Sequence, residues 1–159
     1  MDAAILRAWL SGEPVGRERA VNIPSLAGCL NKIAGTVAAV PIRMYKRETN
    51  RITEVLDDNR IVLLNSETGD TLDAYQMKRA VILDYFLGRG GYIFIDKVKN
   101  EIRSLRYVSE KNISFNENPD VIFKDYDILV QGNTYKPYQF IRLLRNTEDG
   151  AKGKSIIEE

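Results

Sequence analysis

The sequence predicts an α+β fold: a mixed, mainly antiparallel sheet built from hairpins, with two principal packing helices at about 25–39 and 72–87. Three observations carry that expectation. Two segments space their apolar residues as a helix does, and each ends at a residue that interrupts a helix, Pro41 and Gly88. Most of the remaining apolar segments are short and separated by turn pairs such as Lys99-Asn100 and Gly132-Asn133, the pattern of hairpins. The chain has 159 residues, 44% of them hydrophobic and 28% charged, which suits a single ordinary domain.

At the start, Ala3, Ile5, Leu6, Trp9 and Leu10 suit a short amphipathic helix, and Gly12, Pro14 and Gly16 then break it. Residues 1–20 are expected to form an N-terminal arm, and residues 21–159 the body. The arm could pack on its own body or dock on a neighbouring subunit, because Trp9 is a costly residue to leave in water. Pro24 and Ser25 open the first principal helix, with Ser25 its expected N-cap. Leu26, Leu30, Ile33, Val37 and Val40 follow at i, i+4, i+7, i+11 and i+14 as one apolar stripe. Ala27, Gly28, Ala34, Gly35, Ala38 and Ala39 lie beside it, small enough to admit another backbone. The Leu26–Val40 helix is expected to pack tightly on the sheet and on the second helix.

Pro41 stops that helix, because a residue before proline avoids helical geometry. A strand is expected over Ile42–Lys46, paired with Arg51–Val55. A short helix follows over Leu56–Asn65, then a loop over Ser66–Asp70. Thr71 is the expected cap of a helix over Leu72–Leu87, whose second half is apolar nearly all round and so suits burial. Strands are expected over Tyr92–Lys97, Ile102–Tyr107 and Tyr126–Val130, with a return over Thr134–Lys136. Ile113–Phe115 and Val121–Phe123 are weaker strand candidates, and Tyr138–Arg145 fits either helix or strand. Asn146–Lys154 reads as a loop. Ser155–Glu159 resembles the first turn of a helix and suggests a fragment of a longer polypeptide.

Composition narrows function. The chain has no His, which removes the commonest general base and metal ligand and every Ser/His or Cys/His dyad. Its single Cys, Cys29, can form no internal disulfide and no cysteine-rich zinc site, and is expected to be an apolar filler in the core. Lys plus Arg (23) nearly balances Asp plus Glu (22), so the net charge of +1 lacks the basic excess of most free-standing nucleic-acid binders. No run of roughly 18 apolar residues occurs, so neither a membrane span nor a membrane partner is expected.

Candidate sites are few. Gly88-Arg89-Gly90-Gly91 has the glycines of a phosphate loop in the wrong order, following a helix and preceding a strand. Asp70 and Asp73 stand where acids are favoured near a helix start. Asn116–Asp120 carries only Glu117 and Asp120, too few acids for a calcium cage. No catalytic residue, metal ligand or cofactor is expected. The candidate contacts to a partner or to phosphate are Trp9 in the arm and Arg43, Lys46, Arg47 and Arg51 around the first hairpin, where Glu48 and Glu54 dilute the positive field.

The order of segments from Ile23 onward resembles the N-terminal part of the portal proteins of long-tailed bacteriophages. The likeness rests on Ala27, Cys29, Asn31, Ile33, Ala34, Thr36, Val37, Ala38, Pro41, Ile42 and Tyr45, followed by a hairpin. It continues through Val62-Leu63-Leu64-Asn65, then Thr71, Tyr75, Tyr85–Leu87 and Tyr92, then Asn100, Ile102, Leu105 and Val108. It ends on Asp149, Gly150, Gly153, Ser155 and Ile157. The chain departs from the family at Arg89-Gly90, in lacking a His near Phe140–Leu144, and at Ile156 in place of a proline.

The resemblance implies a non-enzymatic structural subunit of a phage portal ring. Such a ring, typically of twelve copies, sits at a capsid vertex in the virion and assembles in the host cytoplasm. Implied partners are other copies of the chain, the terminase large subunit, capsid and head-completion proteins, and the DNA that passes through the channel. This chain would supply the outer, wing portion of the subunit. The alternative is a small nucleic-acid-binding or protein-interaction module using the Arg43–Arg51 hairpin with Tyr92 and Tyr107.

Overall fold

The computed structural model describes residues 16–118, 120, 122 and 124–157. Among them are four α-helices and eight strands in three antiparallel sheets, an α+β fold. The helices are α1 (Arg17–Val21), α2 (Pro24–Ala39), α3 (Asn59–Asn65) and α4 (Ala74–Leu87). The strands are β1 (Met44–Glu48), β2 (Arg51–Val55), β3 (Gly91–Val98), β4 (Glu101–Val108), β5 (Ile113–Glu117), β6 (Tyr126–Val130), β7 (Asn133–Tyr135) and β8 (Phe140–Leu143).

The central sheet runs β4-β3-β8 and the second sheet β5-β6-β7, while β1 and β2 pair only with each other. Side chains alternate across a strand, and β3 uses both faces. Ile93 and Ile95 join Leu63, Met77, Val81 and Leu105 under α4, whereas Tyr92 and Phe94 join Ile113, Ile128 and Phe140 against the second sheet. The central sheet is therefore covered by helix on one side and by sheet on the other. Gly91 makes the close approach to α4 possible: a β-carbon there would stand 2.4 Å from the Val81 carbonyl oxygen.

Two hairpin turns owe their geometry to left-handed backbone. Lys99 and Asn100 (φ 50° and 73°) join β3 to β4, and Gln131 and Gly132 (φ 50° and 83°) join β6 to β7. Positive φ at both central residues matches the twist of the flanking strands. The second turn falls one residue earlier than expected from sequence. Within Tyr138–Arg145, a single 3-10 turn ends at Gln139 and Phe140–Leu143 forms strand β8, which pairs with β3 from Gly91↔Leu143 to Phe140↔Phe94. Ile122, in the weak strand candidate Val121–Phe123, is exposed and belongs to no strand; its two neighbours lie outside the described residues.

The helix starts differ from expectation. Ile23, not Ser25, is the N-cap of α2, with Pro24 at the first helical position, where its missing N–H is no loss. Asp73, not Thr71, caps α4: its carboxylate accepts from the Gln76 amide while the Gln76 side chain accepts from the Asp73 amide. This reciprocal pair satisfies two otherwise orphaned donors, and it is Asp73, not Thr71, that immediately precedes the first helical residue, Ala74. Arg17–Val21, counted up to Ala20 in the arm from sequence, packs through Ala20, which joins Leu30 and Leu87 in a third cluster. The last described residues return to the same cluster, with the Ile156 amide donating to the Phe86 carbonyl (2.9 Å).

Candidate functional site: an apolar groove beside a lone hairpin

The face that α2 buries holds only the first half of its aliphatic stripe, Leu26 and Leu30. Leu30, Ala34 and Ala38 are buried, with Ala34 and Ala38 at 0% and 1% exposure, while Ile33, Val37 and Val40 stand 42%, 49% and 56% exposed. The reason is the surface that α2 meets. It lies along α4 and makes no comparable contact with the sheet. Small residues let two helix backbones approach closely, and the branched residues are left overhanging. Cys29 is likewise exposed, which corrects the expectation of a buried filler. Among the described residues, none places an atom within 4 Å of where a β-carbon on Gly28 would stand, so they give it no packing role.

Beneath the overhang lies a groove of about 300 Å³. Val37, Val40 and Ile42 form one wall, Val81 lies in the floor, and Ile141 and Leu143 of β8 form the other wall. The polar group in the lining is Lys78, whose ammonium donates to the Val40 carbonyl (3.1 Å) and whose pKa burial lowers. The groove thus holds no free polar group to orient a metabolite, and clefts that bind small ligands rely on several such groups. Its chemistry suits apolar side chains of a protein.

The hairpin beside the groove is tied down at its base. The Asn65 side chain, at the end of α3, accepts from the Ile42 amide (2.8 Å) and donates to the Ile42 carbonyl (2.8 Å) and to the Ile61 carbonyl (3.0 Å). This amide fixes where the chain goes after Pro41. Further out, both faces of the hairpin are exposed, including Tyr45 (55%) and Ile52 (67%). An isolated two-stranded hairpin is marginal in water, so this one is suited to contact another surface.

Of the sequence-predicted contacts, Trp9 lies outside the described residues. Arg43, Lys46, Arg47 and Arg51 all sit at the hairpin but do not form one patch. The register pairs Arg47 with Ile52 and Tyr45 with Glu54, which places Arg47 on one face; Lys46, opposite Thr53, and Arg51, opposite Glu48, lie on the other. Arg43 is 3.5 Å from Glu54, and Lys46 is 3.0 Å from Glu48. The aromatics proposed to stack on bases are not presented either. Tyr92 is fully buried, and Tyr107 is half-buried with its hydroxyl donating to Asp84 at 2.6 Å. Among the described residues no group of three acids or thiols is placed to hold a metal, and no helix is long and apolar enough to cross a membrane.

Sequence reasoning missed Asp84. It is 1% exposed within the apolar half of α4, yet it pairs with Arg17, accepts from Tyr107 and accepts from the Glu110 amide (3.2 Å). Glu110 in turn receives Arg89 at 2.6 Å. These groups join α1, the end of α4 and the end of β4. The signal in the sequence was a lone acid among apolar residues on a helix. No protein-family model matches this sequence, and no curated protein matches it significantly.

Proposed function

We propose that this chain is the wing portion of a phage portal subunit, a non-enzymatic element that works by packing against other copies in a ring at the capsid vertex. The observation that carries the reading is the exposed second half of the α2 stripe, Ile33, Val37 and Val40, over an apolar groove, beside a hairpin exposed on both faces. A monomer gains nothing by holding Ile33, Val37 and Val40 in water, whereas a subunit needs such a surface. The order of segments adds support, because Asn65 joins two stretches that carry the family resemblance, Ile23–Tyr45 and Val62–Asn65.

In this reading, copies meet head to tail through different surfaces, and the rotation between them closes the ring. The terminase large subunit, capsid and head-completion proteins and the passing DNA are partners of the assembled ring. The near-neutral charge fits a part that does not itself grip DNA. Two observations test the proposal. The gene should lie beside genes for a large terminase and for a capsid protein or head protease. The complete gene product should form closed rings in negative-stain electron microscopy; a monomer at all concentrations would overturn the reading.

A further inference from the structure

We infer that residues 149–157, which hold neither helix nor strand, form a clasp that opens as one unit while the rest of the chain stays folded, and that its opening bares apolar surface at the end of α4. The clasp begins in a turn. One Asp149 carboxylate oxygen accepts from the Ala151 amide (2.7 Å) and the Lys152 amide (2.9 Å), and the Thr147 hydroxyl accepts from the Gly150 amide (2.8 Å). The Gly150 carbonyl accepts from the Tyr126 hydroxyl of β6 (2.8 Å) and from Arg142 of β8 (3.0 Å), so one oxygen bridges the two three-stranded sheets. Ala151 is 1% exposed, and its carbonyl accepts from the Tyr92 hydroxyl of β3 (3.4 Å). Lys152 pairs with Glu117 of β5.

The other end of the clasp reaches the helices. The Gly153 amide donates to the Arg89 carbonyl (2.7 Å), the Lys154 amide to the Arg145 carbonyl (2.7 Å) and the Ile156 amide to the Phe86 carbonyl (2.9 Å). The last bond satisfies one of the carbonyls that α4 leaves open at its C-terminus. Ile156 and Ile157 then pack on the cluster of Ala20, Leu30 and Leu87, beside Leu26, Leu83 and Phe86. Between the two ends, the seat at Gly153 fits bare backbone. A β-carbon there would stand 2.7 Å from the Arg145 amide nitrogen and 2.8 Å from the Arg145 carbonyl oxygen.

The rest of the molecule is complete without the clasp. The clusters under α4 and between the sheets contain no residue beyond Leu144. The ion pairs of the clasp, Lys152 with Glu117 and Lys154 with Glu148, join partly exposed groups and hold it weakly. Its apolar burial amounts to Ala151 and the half-buried Ile156 and Ile157. A segment with so few buried apolar contacts and no ladder of its own opens at a lower free energy than the core. It opens as one unit because its three bonds to the body follow one another along five residues, so that lifting one loosens the next. A separately opening cover over Leu26, Leu83 and Phe86 is a device for presenting an apolar surface on demand. The inference uses contacts within one chain only, and so stands apart from the ring-subunit reading.

Amide hydrogen exchange of the 159-residue chain in rising, sub-denaturing urea tests this. The amides of Gly153, Lys154 and Ile156 should exchange through one common opening whose urea dependence is smaller than that of amides in β3 and the middle of α4. Ile93→Val, in the cluster under α4, should speed exchange in β3 and α4 severalfold and leave the clasp amides unchanged, because the clasp opens with that cluster intact. Gly153→Ala should speed Lys154 and Ile156 by the same factor, about tenfold or more, since the added carbon meets the Arg145 backbone. Clasp amides that accelerate with Ile93→Val as β3 does would show that they open only in global unfolding, and would overturn the inference. So would different urea slopes for Lys154 and Ile156, or a Gly153→Ala effect confined to one of them. The parent and Ile93→Val measurements suffice should Gly153→Ala not fold.

Discussion

Asp84 shows how much one buried carboxylate organises here. Replacing it with Asn keeps the volume but leaves the Arg17 guanidinium facing a neutral partner. Breaking a fully buried ion pair from one side costs about 3–5 kcal/mol. Arg17 is 27% exposed, so partial solvation should reduce the loss for Asp84→Asn to about 2–3 kcal/mol, read as a lower urea midpoint. Tyr107 makes the same network sensitive to alkali. Burial, and then its hydrogen bond to Asp84, push the phenol from 10.0 up to about 12. The folded state therefore holds this proton more tightly than the unfolded chain. Its contribution is complete below pH 10.0 and is lost as pH rises towards about 12. Tyr107→Phe should flatten that part of the stability profile, as followed by urea denaturation across alkaline pH.

At the scale of elements, α2 separates two roles that its sequence superimposes. The small face packs on α4, so Ala34→Leu should force the two helices apart and destabilise by about 1–3 kcal/mol. Gly28 faces open space, so Gly28→Ala should raise the unfolding temperature, with a gain of up to about 1 kcal/mol from helix propensity. Should Gly28 serve a subunit contact, the same variant would be more stable as a monomer yet impaired in assembly. Helical spacing made the existence and length of α2 legible, but a period alone does not say which of two adjacent faces meets a partner. Aliphatic residues gain more from burial than alanine does, yet of the stripe only Leu26 and Leu30 reach the core, while Ile33, Val37 and Val40 do not. The available surface, α4, rewarded close backbone approach instead. The caps were misplaced for a related reason: Ser25 and Thr71 are good capping types, but only the local backbone turn decides which side chain reaches the free amides.

For the whole molecule, the exposed half of the α2 stripe and the small groove beneath it offer a contact far smaller than a stable obligate interface. The 159-residue chain should therefore sediment as a monomer at low micromolar concentration and associate weakly above it; a stable dodecamer under those conditions would contradict this. The basic residues of the hairpin, divided between its faces and partly paired with Glu48 and Glu54, should give no DNA binding that survives physiological salt in a gel-shift assay. Phosphate contacts weaken steeply with salt, and a salt-resistant complex would revive the nucleic-acid alternative.

By itself the sequence determined the α+β class, the two principal helices, most strand positions and the absence of His, because periodicity, helix stops and composition are local properties. The faces of α2, the true caps, the exposure of Cys29, the strand at Phe140–Leu143 and the convergence of distant groups on Asp84 were decided only in the tertiary structure. Each depends on which surface arrives from elsewhere in the chain. The groove belongs to that second class: it exists because α2 rests on α4 and overhangs β8, an arrangement that no single segment encodes.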